Sequence, residues 1–228
     1  KTPLGLDALR LAIFLSLPSL EPPVPFPAAL ETAQDLLNLL WRTGQWILHQ
    51  RTGTVPVPGA GREMDAWLLS RSRQVHKEVT NAFYRQRPGE AASRLRHWAG
   101  DECCGWYFPL LQHLPSLPPT APATPSSPLA SPPAFPPGSP SAGPALPAWP
   151  AVFEELLALL HPLVPCLTES LWQDLRPLRL PGPLTTLAAS PWPVTTPAEP
   201  RDAELLDDMA QLLHLVLALR GLRAIYLL

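Results

Sequence analysis

The stretch from Val152 to Leu175, VFEELLALLHPLVPCLTESLWQDL, constrains the fold more than any other. Apolar side chains recur at Val152, Phe153, Leu156, Leu157, Leu160, Leu163, Val164, Leu167, Leu171 and Trp172, the period of a helix that buries a broad face. Pro162 and Pro165 fall inside that pattern. Each lacks a backbone N–H and crowds the preceding turn, so the spacing predicts two helical halves meeting at a break over His161 to Cys166. An element buried this broadly needs other helices to cover it.

Proline also partitions the rest. A first amphipathic helix opens at Gly5 and ends near Leu17, before Pro18, Pro22, Pro23, Pro25 and Pro27. A second runs from Ala28 to Gln50 with Ala29, Leu30, Ala33, Leu36, Leu37, Leu40, Trp41, Ile47 and Leu48 on one stripe. Residues 51–62 carry Gly, Pro and Thr and read as a connection. A third helix, Glu63 to Gln86, turns Met64, Trp67, Leu68, Val75, Val79, Ala82 and Phe83 inward and leaves Arg71, Arg73, Lys77 and Arg85 to solvent. A fourth, Gly89 to Gln112, buries Ala92, Leu95, Trp98, Ala99, Cys103, Trp106, Tyr107 and Leu110. Gly100 and Gly105 lie inside it, and each costs roughly 1 kcal/mol relative to Ala, which predicts a weak helix. Residues 178–194 read as irregular or briefly extended. A last helix begins near Pro200, a permitted position for proline, and runs to Arg220 on a stripe of Leu205, Met209, Leu212, Leu213, Val216 and Leu219.

Residues 115–150 are different in kind. They hold fourteen of the 33 prolines and no charged residue, so they have neither the backbone donors for helix or sheet nor the side chains for a core, and are expected to be a disordered, polyproline-II-biased insertion. P-x-x-P repeats of the sort SH3 domains bind occur within it. They lack a flanking Arg or Lys, and a plain linker is the preferred reading. The fold class that results is all-α, a helical bundle with a long Pro-rich insertion.

Composition excludes several functions. A net charge of -2 argues against bulk attraction to nucleic acid, yet from Arg42 to Arg96 ten Lys/Arg face four Asp/Glu. That local surplus of six makes Arg71, Arg73, Lys77, Arg94 and Arg96 candidate phosphate-binding residues, with Trp67, Trp98 and Trp106 as aromatic neighbours whose preferred role is core. Three cysteines, Cys103, Cys104 and Cys166, fit buried thiols in a reducing compartment better than a disulfide framework. The apolar run of residues 4–17 is broken by Asp7 and Arg10, so neither a signal peptide nor a membrane span is expected. Adjacent cysteines on a helix diverge by about 100° and make a poor metal pair. Glu154-Glu155 and Asp207-Asp208 diverge likewise and read as solvated faces. No G-x-x-x-x-G-K-(S/T) or G-x-G-x-x-G loop is present. Neither catalytic nor metal-ligating residues are therefore assigned.

Several segments resemble one family. His161-Pro162-Leu163-Val164-Pro165-Cys166-Leu167-Thr168-Glu169-Ser170-Leu171-Trp172-Gln173 resembles the H-P-(apolar)₂-P-(apolar)₂-T-E-x-L-W-Q signature of the anticodon-binding domain in class I valyl-, isoleucyl- and leucyl-tRNA synthetases. Gly5-Leu6-Asp7-Ala8-Leu9-Arg10 is similar to the G-x-D-A-L-R that follows the K-M-S-K-S loop. Asp65 to Arg71 resembles D-x-W-(I/L)-L-S-R, and Pro191-Trp192-Pro193 the family's P-W-P. Gly100 to Tyr107 resembles W-D-E-F-C-D-W-Y of the valyl branch, with Gly100, Cys103 and Gly105 departing from it. Arg220 to Tyr226 resembles R-x-(L/I)-R-A-(D/E)-Y, with Ile225 in place of the acid. Asp35 to Trp41 resembles N-x-L-N-K-L-W, but Leu39 replaces the basic residue, which argues against an RNA contact at that position.

The resemblance implies a division into residues 1–27, the end of the connection from a catalytic domain; 28–114, the first part of an anticodon-binding bundle; 115–150, the insertion; and 151–228, the second part with the C-terminal helix. It implies a tRNA partner of the valine type, no membrane, and a cytoplasmic or mitochondrial location. ATP belongs to the implied parent ligase, and no cofactor to this region, where H-I-G-H and K-M-S-K-S are absent. Alternatives are the same region of an isoleucyl enzyme, or a non-catalytic helical interaction protein derived from such an enzyme.

Overall fold

The structure is a computed structural model that describes residues 4–18, 24–49, 62–113, 148–175, 186–194 and 202–226. Among them there is no strand. The helices are α1 (Leu4–Leu15), α2 (Phe26–His49), α3 (Arg62–Tyr84), α4 (Pro88–Arg96), α5 (Phe108–His113), α6 (Trp149–Leu160), α7 (Pro165–Leu175) and α8 (Asp202–Tyr226). Nearly all of the expected insertion lies outside the described residues. Its last two positions, Trp149 and Pro150, open α6 with proline in the first turn.

The proline break forms as predicted. α6 ends at Leu160, Leu163 N and Val164 N both donate to Leu160 O at 2.9 and 3.0 Å, and Pro165 starts α7. The first helix seals this corner. Arg10 Nη2 donates to Pro162 O at 3.0 Å, while the fully buried Asp7 accepts from Leu167 N at 2.7 Å and Cys166 N at 3.3 Å. A carboxylate at a helix N-terminus meets donors left without intrahelical partners.

α2 packs against α1, α7 and the segment after α4, and buries Ala29, Ala33, Leu36, Leu37, Leu40, Gly44 and Ile47. A Cβ on Gly44 would come within 2.5 Å of Leu171 Cδ2, so any side chain there would displace the Leu171 side chain from the α2–α7 contact. α3 packs on α4, α6 and α8. It ends earlier than expected, through Gln86 at φ 57 and a bond from Arg87 N to Ala82 O at 2.9 Å, the left-handed C-terminal cap that usually employs glycine.

Three sequence expectations are corrected. The fourth helix is not one α-helix: His97–Tyr107 is π-helical, flanked by α4 and α5. Gly105 sits at its tightest point, where any Cβ would lie 2.1 Å from Gly100 O, and both glycines lie within the wider turn. On α8, Met209 is buried and Leu205 and Val216 pack on the core, but Leu212 and Leu219 are exposed. Glu155 is no solvated acid. It accepts from Ser72 Oγ at 2.7 Å and pairs with the buried His76 Nδ1 at 2.5 Å, tying α6 to α3. Trp192 completes that contact, its Nε1 donating to Thr80 Oγ1 at 3.0 Å and its ring edge-on to His76 and Phe83.

Candidate nucleic-acid interface

Trp67, Trp98 and Trp106 belong to the core, as preferred. Trp67 is 1% exposed, with the rings of Trp98, Trp106 and Tyr107 at 6.2, 5.2 and 6.5 Å between centroids, and Tyr107 donates to Asp65 at 2.5 Å. None of these indoles is free to stack on RNA.

The five candidate cations separate. Arg71 does not simply face solvent: it makes a bidentate pair with Glu102, Nε to Oε2 at 2.7 Å and Nη2 to Oε1 at 2.6 Å. Arg94 bridges Glu78 at 2.5 Å and Glu90 at 3.1 Å. These two knit α3 to α4 and to the π-helical segment. Lys77 is exposed and Arg73 half-buried on α3. Arg96 borders a concavity.

That concavity is an open groove of about 720 Å³ between α2 and the π-helical segment, of the size that base-sized ligands occupy. Thr32, Asp35, Asn38, Trp41 and Arg42 line it from α2, and Arg96, Gly100 and Asp101 from the other wall, over an apolar floor of Leu36 and Leu39. Trp41 is 39% exposed, so it stands at the edge of the α2 stripe and not within it as the periodicity suggested. Its neighbour Arg42 is exposed. Sequence reasoning missed Asp35, Asn38, Trp41, Arg42 and Asp101. A Trp-Arg pair one position past the buried Leu40 was the available signal.

A chain of alternating charge runs from the groove into the protein. Arg96 Nη1 and His97 Nδ1 meet Asp101 Oδ2 at 3.2 and 2.9 Å. His97 Nε2 meets Glu102 Oε1 at 3.1 Å, and Glu102 holds Arg71. The π-helix permits this, since residues four and five apart share a face where about 4.4 residues make a turn. Hydrogen bonds to Asp101 and then Glu102 raise the His97 pKa to about 9, so the imidazole is charged at neutral pH. The bond from His97, helped by Arg96, lowers Asp101. Burial pushes Glu102 up, but bonds from Arg71 and His97 outweigh it and the carboxyl sits below its ordinary value.

Residues 138–228 match the family model for the anticodon-binding domain of tRNA ligase. The proline-broken α6–α7 pair lies inside the matched region, and the described residues have the all-helical architecture that the resemblance implied. Over most of its length the chain is similar to valine--tRNA ligases. The chain is 29% identical to that of Carboxydothermus hydrogenoformans over 86% of its own length and 20% of the relative's. For Dehalococcoides mccartyi the figures are 29%, 96% and 23%, and for Bacillus subtilis 26%, 85% and 20%. The chain spans about a fifth of the length of these curated relatives. Among the described residues, no helix is long and apolar enough to cross a membrane.

Proposed function

We propose that the chain is the anticodon-binding region of a valine--tRNA ligase, and that it holds the anticodon loop of a valine-type tRNA while the acceptor end reaches a catalytic site in another part of the enzyme. The parent would join valine to its tRNA using ATP; this region supplies grip and orientation, with no catalytic residue and no cofactor of its own. A protein-synthesising compartment, cytoplasm or mitochondrion, follows from that reading.

The observation that carries it is the groove. Unpaired RNA bases bind by stacking on aromatic or guanidinium planes while their edges meet polar groups, and backbone phosphates are met by cations. Trp41 supplies an accessible ring, Arg42 and Arg96 the cations, and Asp35, Asn38 and Asp101 the polar edge-readers, all around one opening. Similarity to valine--tRNA ligases supports the valyl assignment over the isoleucyl one.

Trp41→Ala should weaken binding of a valine-type anticodon hairpin about ten-fold or more in an electrophoretic shift, the loss expected when a stacking aromatic is truncated. Unchanged affinity would remove the groove from the reading. An isoleucine-type hairpin bound equally tightly would remove the valyl assignment.

A further inference from the structure

We propose that Asp101 selects, at one position of the bound loop, a base carrying an exocyclic amino group; the inference rests on the groove being the seat of that loop. Both cations that hold Asp101 use the same oxygen. Arg96 and His97 converge on Oδ2, and Oδ1 has no protein partner among the described residues. The side chain is 51% exposed and lines the groove. It is therefore an oriented carboxylate with one oxygen committed to the protein and the other offered to an incoming group.

An ionised carboxylate only accepts hydrogen bonds. The amino groups of cytosine and adenine donate, and uracil presents a carbonyl oxygen where cytosine presents its amine. Uracil's ring N–H lies between two carbonyls, each repelled by a carboxylate, so it is a poor substitute. The other groove acid, Asp35, has no hydrogen bond or ion pair among the described residues to fix its direction. Of the two, only Asp101 is pre-oriented, and a fixed acceptor discriminates better than one that must be ordered on binding.

The π-helical turn creates this orientation. In an α-helix Arg96 and Asp101, five positions apart, would point to different faces. Here both residues line one groove, and Arg96 can donate to a ring nitrogen beside the amine that Asp101 accepts.

The test uses the 228-residue chain and anticodon hairpins in which each unpaired anticodon base is exchanged in turn for its counterpart without the amine: cytosine for uracil, adenine for unsubstituted purine, guanine for inosine. At one position the amine-bearing base should bind roughly ten-fold tighter. Asp101→Asn directs its amide oxygen to Arg96 and His97 and its NH₂ into the groove, so the preference should vanish or reverse toward the carbonyl-bearing base. Asp101→Glu, which keeps the acceptor but displaces it, should retain the direction of preference at reduced strength, and thermal melts of both variants establish that they are folded. Hairpin binding without amine preference at any position overturns the inference and leaves the functional reading standing. A preference that survives in Asp101→Asn overturns the assignment to this residue. Failure to bind any hairpin removes the functional reading, and the inference with it.

Discussion

Gly105 stands where any side chain would drive a Cβ to within 2.1 Å of the carbonyl oxygen of Gly100, five residues earlier. The other glycine of the pair is unconstrained in this way, since a Cβ on Gly100 would meet only Leu36 Cδ1, at an ordinary 3.5 Å. Gly105→Ala should therefore destabilise the chain by about 1–3 kcal/mol, the usual range for forced overpacking, although alanine is the better helix former. Gly100→Ala should cost well under that. Urea titrations of the two variants decide it, and equal midpoints would mean the π-helical segment tolerates a side chain at its tightest point.

Stability should fall with rising pH across the His97 window. The His97 pKa is raised from 6.5 to about 9, so folding is favoured wherever the folded imidazole is charged more readily than the unfolded one. That contribution is fully present below about pH 6.5 and is lost as pH climbs through about 9. His97 is half exposed, so after allowance for solvent screening its size is on the order of 1 kcal/mol. His97→Gln should flatten the alkaline decline in denaturant midpoints relative to the unchanged chain. Parallel declines would exclude His97 as the cause. Asp101 and Glu102, both lowered, act oppositely: their contribution is present above the ordinary carboxylate range and is lost as pH falls through their depressed values.

Truncating Glu155 should cost about 2 kcal/mol or more, because Ser72 and His76 are 2% and 1% exposed and would lose their acceptor. Asp174→Ala, on an exposed position of α7, should stay within about 0.5 kcal/mol. Thermal or urea melts that rank the two variants together would show that the α3–α6 clamp contributes nothing.

Arg42→Glu should weaken hairpin binding and reduce the slope of log affinity against log salt by about one unit, as expected for one lost phosphate contact. Lys77→Glu, away from the groove, should do much less. Shifts measured at two salt concentrations separate them; equal losses would mean that net charge alone governs binding.

The helices and the break at Pro162 and Pro165 were legible because their causes are local: a missing N–H and an apolar period act within a few residues. The π-helical turn was not, since it depends on hydrogen-bond register and on a close approach of Gly105 to a backbone carbonyl five residues earlier, which residue type alone does not reveal. Cations were the least legible. Arg71 and Arg94 stand on the face expected from periodicity, but their partners Glu102, Glu78 and Glu90 reach them only once α3, α4 and the π-helical segment are packed. Reversing the charge of Arg71 would therefore strand the largely buried Glu102 against a like charge and report on folding before it reported on RNA. Trp41 was assigned to the buried stripe because one turn of helix separates it from the buried Leu37, and such edge positions are decided by the neighbouring element.

The bonds from Asp7 to the start of α7, and from Arg10 to the corner before it, span more than 150 positions of chain. Synthesis proceeds from the N-terminus, so α1 leaves the ribosome long before the groups that satisfy it exist. Through that interval Asp7 has to remain in water, and α1 cannot settle into its final place. Closure of this corner therefore cannot precede the emergence of Leu167. Among the described helices, α1 is made before the others yet is among the last to be secured, and a chain stalled short of that point holds α1 unsealed.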